Sequence, residues 1–339
     1  MRQRIAALLL IGCIVVLPGC AQKEPTIAQT ATPAVKTVQP TATPKPTATP
    51  TPEPTPTATP QPTPTPDPDA AFYSESGESF EFNPDGKHWS YKSPTLGIQL
   101  EKIRDDKLDI TYYVADIHVR DFTLFGSGFA NKKPLGNPRM SPDDTAVLYK
   151  AVYAQNGDYF TDRKTGIVIR DGVVYRDKPG EDDIMAITPD GEMLVFHHGD
   201  VTADELLEQG VRDTFAFGPI LVEDGKMNQA IMKHRLFGTN PRSGFGMVSR
   251  GHYVGIVVDG RRPGYSRGIN FENYAKLFLD RGCVVAYNFD GGQSSAMVFM
   301  GQAINSHESN DKWHGQRRVP DIFRIGTSDS VPAKGTAAK

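Results

Sequence analysis

The 339-residue chain has 37 lysines and arginines against 40 aspartates and glutamates, a formal net charge of −3 at pH 7. This balance excludes the strongly basic surface that nucleic-acid binding requires. The chain has only three cysteines, which excludes a disulfide-rich scaffold. Cys283 lies alone in an apolar stretch, which favours a buried packing role over a nucleophilic one.

The first twenty residues have the pattern of a secretory signal peptide. Arg2 and Arg4 precede an apolar run over residues 5–17, which is shorter than the roughly 20 residues that a membrane-spanning helix needs. Residues 17–20 resemble a bacterial lipobox, in which the cysteine becomes the lipid-modified first residue. We therefore expect residues 1–20 to be a lipoprotein signal peptide, and the mature protein to be extracytoplasmic and anchored to the bacterial cell membrane by a lipid on Cys20.

Residues 21–70 have the composition of a linker. Fourteen of the 27 prolines lie between Pro25 and Pro68, mostly beside threonine, and the segment has no aromatic residue. Such a sequence cannot bury a core, and it favours extended polyproline II conformations of about 3.1 Å per residue. The segment is predicted to be a disordered linker.

A single large domain is predicted over residues 71–327, followed by a flexible tail at 328–339. Turn signals at Asp171 and Asp190, each followed by glycine, predict two β-hairpins. Capping residues predict helices after Ser141, Thr202 and Asn270. The expected fold class is α+β (mixed α/β), with a mixed central sheet, several hairpins and short helices.

The most informative stretch is residues 288–297, which follows an apolar strand. Gly291 and Gly292 allow the backbone to take positive φ angles and to approach a ligand closely. Such a loop presents the carboxylate of Asp290 at the rim of a sheet. An ordinary turn is the alternative interpretation of this spacing.

A second Asp-Gly pair begins at Asp259, at the end of the preceding predicted strand. Two arginines, Arg242 and Arg261, lie near these motifs in the sequence. Because arginine binds phosphate oxygens in a bidentate manner, carboxylates and guanidinium groups at strand ends indicate a site for a phosphorylated or otherwise anionic substrate.

Four motifs resemble those of the phosphodiester glycosidase family. Two residues depart from the family pattern: Ser243 stands where threonine is usual, and Gln293 stands where a third glycine is usual. The resemblance covers roughly residues 85–326, and its motifs are Asn-Gly-Asp-Tyr-Phe at 156–160, Arg-Ser-Gly-Phe-Gly at 242–246, Asp-Gly-Arg at 259–261 and Asn-Phe-Asp-Gly-Gly-Gln-Ser-Ser at 288–295.

This resemblance implies hydrolysis of a sugar-1-phosphodiester on a cell-envelope or extracellular glycan, with release of a free sugar and a phosphomonoester. An oxocarbenium-like transition state needs a nearby carboxylate, and the phosphate leaving group needs cationic and N–H donors. Asp290 is then the nucleophile, base or electrostatic stabiliser, and Asp259 is the second carboxylate. The implied substrate-binding residues are Arg242 and Arg261 at the phosphate, Ser243, Gly291, Gly292, Ser294 and Ser295 as hydrogen-bonding groups, and Asn156 and Asp158 at the sugar.

Two other functions remain open at this point. A metal-dependent phosphodiesterase is disfavoured because none of the eight histidines has His-x-His or His-Glu-x-x-His spacing. No catalytic metal or other cofactor is expected, although Asn and Asp oxygens leave a structural Ca²⁺ ion open. A non-catalytic, lipid-anchored binder of wall polymer or exopolysaccharide would favour exposed tryptophans, and the chain has only Trp89 and Trp313.

Overall fold

The computed structural model describes residues 69–82, 86–310 and 315–333, which belong to one compact unit. The predicted signal peptide, Cys20, nearly all of the predicted linker and Trp313 lie outside these ranges. Within them, no helix has both the length and the apolar character needed to cross a membrane.

The described chain forms nineteen strands and three α-helices. In chain order they are β1 (Ser79–Phe82), β2 (His88–Lys92), β3 (Leu96–Asp105), β4 (Ile110–Val119), β5 (Phe125–Phe129), α1 (Pro142–Leu148), β6 (Ala151–Asn156), β7 (Val168–Arg170), β8 (Val173–Arg176), β9 (Ile184–Ile187), β10 (Met193–Phe196), α2 (Ala203–Glu208), β11 (Asp213–Ala216), β12 (Ile220–Glu223), β13 (Lys226–Met227), β14 (Arg242–Ser249), β15 (His252–Val258), α3 (Phe271–Leu279), β16 (Val285–Asn288), β17 (Met297–Phe299), β18 (Gln302–Ala303) and β19 (Asp321–Thr327).

Two antiparallel sheets form the body of the unit. The larger has nine strands in the order β1-β2-β3-β4-β15-β14-β16-β12-β13, and the smaller has five in the order β18-β17-β6-β19-β5. A three-stranded sheet, β10-β9-β11, and the β7-β8 hairpin complete the architecture.

The main core lies between the two large sheets, and a further layer of buried side chains lies on the outer face of each sheet. Alternate residues of the two large sheets face each other in one large cluster, which includes Tyr91, Phe245 and Tyr287 from the larger sheet and Tyr153 and Phe323 from the smaller. The helix α3 covers the outer face of the nine-stranded sheet, and α1 covers that of the five-stranded sheet.

The predicted α+β class agrees with a fold that is mixed but dominated by strands, whereas the predicted mixed central sheet is wrong. The connection through α3 returns the chain so that β16 runs in the same direction as β15, as in a parallel sheet. However, β14 lies between these two strands and pairs antiparallel with each of them. The ends of β15 and β16 and the start of β14 consequently meet at one edge of the sheet.

The predicted helix starts and hairpins are confirmed. The side chains of Ser141 and Asn270 accept hydrogen bonds from backbone N–H groups in the first turns of α1 and α3. Thr202 and Glu205 form a reciprocal capping box at α2. The two predicted turns connect β7 to β8 and β9 to β10.

The predicted flexible tail begins too early. Ser328 is buried, and its hydroxyl donates a hydrogen bond to Glu78 at 2.7 Å. Val331 is buried in the main core. The ordered packing of the domain therefore extends past residue 327, because the chain after β19 covers the edge of the core near β1.

Candidate active site

The order of strands brings the two Asp-Gly motifs to one edge of the nine-stranded sheet. Asp259 directly follows β15, and Asp290 lies two residues after β16. Since neighbouring strands are about 4.8 Å apart and only β14 lies between these two, the backbones of the two aspartates are roughly 10 Å apart. The sequence prediction that these motifs share a sheet edge is thus met.

Asp290 is a buried carboxylate with incomplete hydrogen bonding. Its side chain is 8% exposed, and Oδ2 has no hydrogen-bond partner in the described chain. Burial raises the pKa of Asp290 to about 6, against the lowering effects of the Ser294 hydroxyl, Arg317, the Gly291 backbone and Arg163. Ser294 Oγ lies close enough to favour the charged carboxylate without meeting hydrogen-bond geometry.

Several other polar atoms around Asp290 are buried without partners. Among the described residues they include the hydroxyls of Ser294 and Ser295 and Oδ1 of Asn288, all from the same motif, and Nε2 of His307, which lines a cleft together with Ser295. Buried polar groups in folded proteins are nearly always hydrogen-bonded. A cluster of exceptions beside a carboxylate of raised pKa therefore marks a place where a polar ligand or water completes the hydrogen bonding.

The two residues after Asp290 are glycines because neighbouring atoms lie close to their backbones. Gly292 has a φ of +65°, and a Cβ atom on it would lie 3.1 Å from Nη2 of Arg261. A Cβ atom on Gly291 would lie 3.0 Å from the carbonyl oxygen of Pro241. The Gly292 N–H donates to that same carbonyl at 3.0 Å, so its predicted role as a donor to substrate is not supported by this geometry.

Asp259 is also buried, but its carboxylate is fully hydrogen-bonded. Oδ1 accepts from Asn305 at 3.0 Å, and Oδ2 accepts from the Tyr265 hydroxyl at 2.9 Å and from the Ser306 N–H at 3.1 Å. Burial raises the pKa of Asp259 to about 6, with these donors opposing the shift. Asn305 also donates to the Ser295 carbonyl at 3.1 Å, which links Asp259 to the loop of Asp290.

Arg242 lies beside the Asp290 loop, with Nη1 at 4.0 Å from the position of a Cβ atom on Gly291. Its buried guanidinium donates to the carbonyls of Ile269 and Gly238, at 3.3 and 2.6 Å, and stacks 3.8 Å above the ring of Phe271. Burial lowers the pKa of Arg242 to about 10. Through Nε and Nη2, Arg242 holds the chain before α3 in place, and its role at the phosphate stays a prediction.

Ser243 is likewise held inside the protein. It is fully buried between the two large sheets, and its hydroxyl accepts a hydrogen bond at 3.3 Å from Nε2 of Gln155 on β6. The predicted contact of Ser243 with substrate is therefore replaced by a contact between β14 and β6.

Asn156 and Asp158 also have structural contacts instead of a position facing a sugar. Asn156 donates to the Asp290 carbonyl at 2.8 Å and accepts from the Ala296 N–H at 3.0 Å, so it holds both ends of the loop. Asp158 is buried and accepts from the Ala216 N–H at 2.8 Å, with Arg170 at 3.3 Å. These oxygens accept hydrogen bonds from the protein itself.

Arg261 remains at the site. It has a left-handed backbone conformation, with φ of +59°. It lines a narrow cleft together with Asp259, Gly292, Ser295 and His307. The position fits its predicted role beside a phosphate.

The structure adds site residues that the sequence motifs did not indicate. Arg163 and Arg317 act on Asp290 as nearby positive charges, and the Arg317 N–H donates to the Gln293 carbonyl at 3.2 Å. Asn305 joins the two Asp-Gly loops, and burial lowers the pKa of His307. No spacing pattern connects these residues to the motifs, because only tertiary packing places them there.

One cluster of side chains elsewhere has a composition suited to a metal ion. It consists of Asp116, His118 and His252, with ligand atoms within 4.8 Å of one another. The two imidazole rings are stacked, with centroids 4.3 Å apart and planes at 19°. Nε2 of each imidazole approaches the same oxygen, Oδ1 of Asp116, at 2.6 Å from His252 and 3.6 Å from His118. The cluster lies at the opposite end of β15 from Asp259, roughly 20 Å away.

Comparison with known proteins supports the resemblance drawn from the motifs. Residues 149–325 match the model of the phosphodiester glycosidase family, NAGPA. Because this match spans about half of the chain and includes both Asp-Gly motifs, the chain belongs to the phosphodiester glycosidase family.

The chain is similar to a protein of Bacillus subtilis (strain 168), the SPbeta prophage-derived uncharacterized protein YomE, with 38% identity over 170 residues. This match covers 48% of the chain and 26% of that protein, so the chain spans about a quarter of its relative.

Among solved structures, the fold is similar to the catalytic domain of zebrafish N-acetylglucosamine-1-phosphodiester α-N-acetylglucosaminidase, auto-inhibited by its pro-peptide. The TM-score is 0.57 at 23% identity, over 74% of this chain and 88% of that one. A hypothetical protein from Synechocystis matches with a TM-score of 0.46 at 12% identity, over 69% and 62% of the two chains.

Proposed function

We propose that the protein hydrolyses a sugar-1-phosphodiester on a cell-envelope or extracellular glycan. The bond that breaks joins the anomeric carbon to the phosphate oxygen, and the products are a free sugar and a phosphomonoester. The observation that carries the proposal is the buried Asp290 carboxylate, whose unpartnered Oδ2 lies in one loop with the unpartnered hydroxyls of Ser294 and Ser295. Membership in the phosphodiester glycosidase family supports the same class of reaction.

The state of Asp290 suits an oxocarbenium-like transition state. With a pKa of about 6, the carboxylate is ionised at neutral pH although it is buried. In a site of low dielectric constant, its attraction to a positive charge that develops at the anomeric carbon is stronger than it would be in water. The carboxylate is thus placed either to stabilise that charge or to attack the carbon, as in other glycoside hydrolases.

The leaving phosphate is stabilised by cations in this scheme. Arg163 and Arg317 are close enough to Asp290 to lower its pKa, and Arg261 lines the adjoining cleft. Guanidinium groups bind phosphate oxygens through charge-assisted, often bidentate, hydrogen bonds. Because a phosphomonoester is a weakly basic leaving group, such donors reduce the need for a strong general acid.

Asp259 has a supporting role in this proposal. All of its hydrogen bonds come from protein donors, so it holds Asn305, and through Asn305 the Ser295 backbone, in position. The N-terminal sequence adds the proposed location, in which a lipid on Cys20 anchors the enzyme outside the cytoplasmic membrane.

A turnover assay on a panel of glycosyl-1-phosphodiesters tests the proposal, with both products identified by mass. We expect a reducing sugar and a phosphomonoester from the wild-type protein, and formation of both at least about 10²-fold slower with Asp290→Asn. Release of a sugar-1-phosphate with a free alcohol would instead indicate cleavage of the other phosphate ester bond, as by a phosphodiesterase. Saturable binding of every diester without any product would indicate a glycan-binding protein.

A further inference from the structure

A cleft rich in cations adjoins the candidate active site. Three loops line it, residues 163–165, 179–182 and 233–235, and it encloses about 670 Å³. We call this feature the basic cleft. Its charged side chains are those of Arg163, Lys164, Lys233 and Arg235 on the cationic side, and Glu181 and Asp182 on the anionic side.

Arg163 connects the basic cleft to Asp290. Its positive charge helps to lower the pKa of Asp290, and its guanidinium lies 4.8 Å from the ring centre of Phe217. The next residue, Gly218, accepts a hydrogen bond at 2.8 Å from Asn288, which lies two residues before Asp290. The basic cleft is thus linked to the Asp290 loop through Arg163, the segment at Phe217 and Asn288.

The carboxylates of the basic cleft do not cancel its positive charge. Asp182 forms an ion pair with Arg163, and its other oxygen lies 3.7 Å from Arg235. Lys164 and Lys233 are exposed and have no ion-pair partner within residues 69–82, 86–310 and 315–333. The cleft therefore has a local excess of cations, although the whole chain has a net charge of −3.

We propose that the basic cleft binds a further phosphodiester of a polymeric substrate in which sugars and phosphates alternate. The inference rests on the function proposed above, and it adds the substrate class. A single sugar-1-phosphodiester has one anionic group, which the arginines around Asp290 already accommodate. A polymer has a second phosphate one repeat away, where the exposed cations of the cleft bind it by charge-assisted hydrogen bonds and concentrate the anionic chain near the site.

The test compares kcat/KM for a monomeric diester and for oligomers of the same repeat. It uses the wild-type protein and the variant Lys164→Gln/Lys233→Gln/Arg235→Gln. A matched control is Lys107→Gln/Lys226→Gln/Arg250→Gln, which removes the same charge from exposed positions outside the cleft. An uncharged glycan and a uronic-acid oligomer of equal charge serve as competitors.

We expect the wild-type protein and the control to prefer the oligomers. The cleft variant should show a preference that is roughly 10-fold smaller, since interactions between exposed charges are individually weak. The loss should be in KM, and it should shrink at high salt because exposed charges are screened. Failure of both the uronic-acid oligomer and the uncharged glycan to inhibit cleavage of the phosphate oligomer would support phosphate as the ligand. Inhibition by the uronic-acid oligomer at an equal concentration would overturn that choice.

Failure of this inference is distinguishable from failure of the proposed function. Cleavage of monomer and oligomer with equal kcat/KM would overturn the cleft as a subsite and leave the reaction intact. If no diester is cleaved, equilibrium binding of the phosphate oligomer, measured by fluorescence anisotropy, still decides the matter. Equal affinity of the cleft variant and the control would then overturn the inference, and a roughly 10-fold weaker affinity of the cleft variant would support it.

Discussion

Replacement of Asp290 by asparagine should lower turnover and raise stability at the same time. Burial raises the pKa of this carboxyl from 3.8 to about 6. Each unit of pKa corresponds to 1.36 kcal/mol, so keeping the group ionised in the folded protein at neutral pH costs about 3 kcal/mol. Asparagine removes this cost but leaves its own polar atoms in the same site, so we expect a gain of about 1 to 3 kcal/mol at pH 7.

The gain in stability of the variant over the wild type should increase as the pH rises. Below about pH 4 the carboxyl is protonated in both the folded and the unfolded chain, and wild type and variant should have similar stabilities. Between about pH 4 and pH 6 the unfolded chain loses its proton first, so the stability of the wild type falls as the pH rises. Above about pH 6 the loss is complete. Urea denaturation of both proteins at pH 4 and pH 7 measures the difference.

Turnover should fall at least about 10²-fold in the same variant, the lower end of effects from removing a catalytic acid or base. The control is Asp259→Asn, because burial raises the pKa of Asp259 to about 6 as well. There the new amide nitrogen faces hydrogen-bond donors, and a lost hydrogen bond of about 1 to 3 kcal/mol offsets any gain in stability. Full activity of Asp290→Asn would refute a catalytic role for Asp290. Equal destabilisation at both pH values would refute the raised pKa of its carboxyl group.

Three further predictions concern neighbouring residues and the N-terminus. Arg242→Ala should lower the free energy of unfolding by about 3 kcal/mol or more, because its buried guanidinium holds backbone carbonyls. Arg261→Ala should mainly raise KM. Unchanged thermal midpoints for both variants would contradict this difference. Asn305→Ala should reduce kcat at least about 10-fold without abolishing folding, as measured by kinetics and circular dichroism, since it joins the two carboxylate loops. Cys20→Ser should move the protein from the membrane fraction to the soluble fraction with activity retained, and continued membrane association would count against the lipid anchor.

The sequence was sufficient to predict how the two aspartates come together. Two strands that each end in Asp-Gly, separated by one helix, place both carboxylates at the same sheet edge whether or not the strands are neighbours. The position of β14 between them was not predictable, since strand pairing depends on contacts across the whole sheet. The charges around Asp290 were missed for the same reason: Arg163 comes from a distant loop, and no local pattern marks it.

The roles of individual motif residues were harder to predict than their location. A strand that begins with arginine has two directions in which to extend that side chain, toward a ligand or toward nearby carbonyls. In Arg242, Nε and Nη2 take the second direction, toward the carbonyls of Ile269 and Gly238, while the guanidinium stacks 3.8 Å from the ring centre of Phe271. Asn156 and Asp158 likewise act on the backbone of the Asp290 loop and on Arg170.

The motif on β14 has a different function from the motifs on either side of it. Its Gly244 and Gly246 lie under α3, where a Cβ atom would come within 2.8 Å of the Tyr274 hydroxyl or 2.9 Å of the Phe278 ring. Glycine at these two positions therefore allows the helix to lie close to the sheet. Because α3 connects the two strands that carry the aspartates, its distance from the sheet sets where β16 begins and, through β16, where the Asp290 loop lies. The central strand thus contributes packing space and backbone hydrogen bonds to the site, while its neighbours contribute the charges.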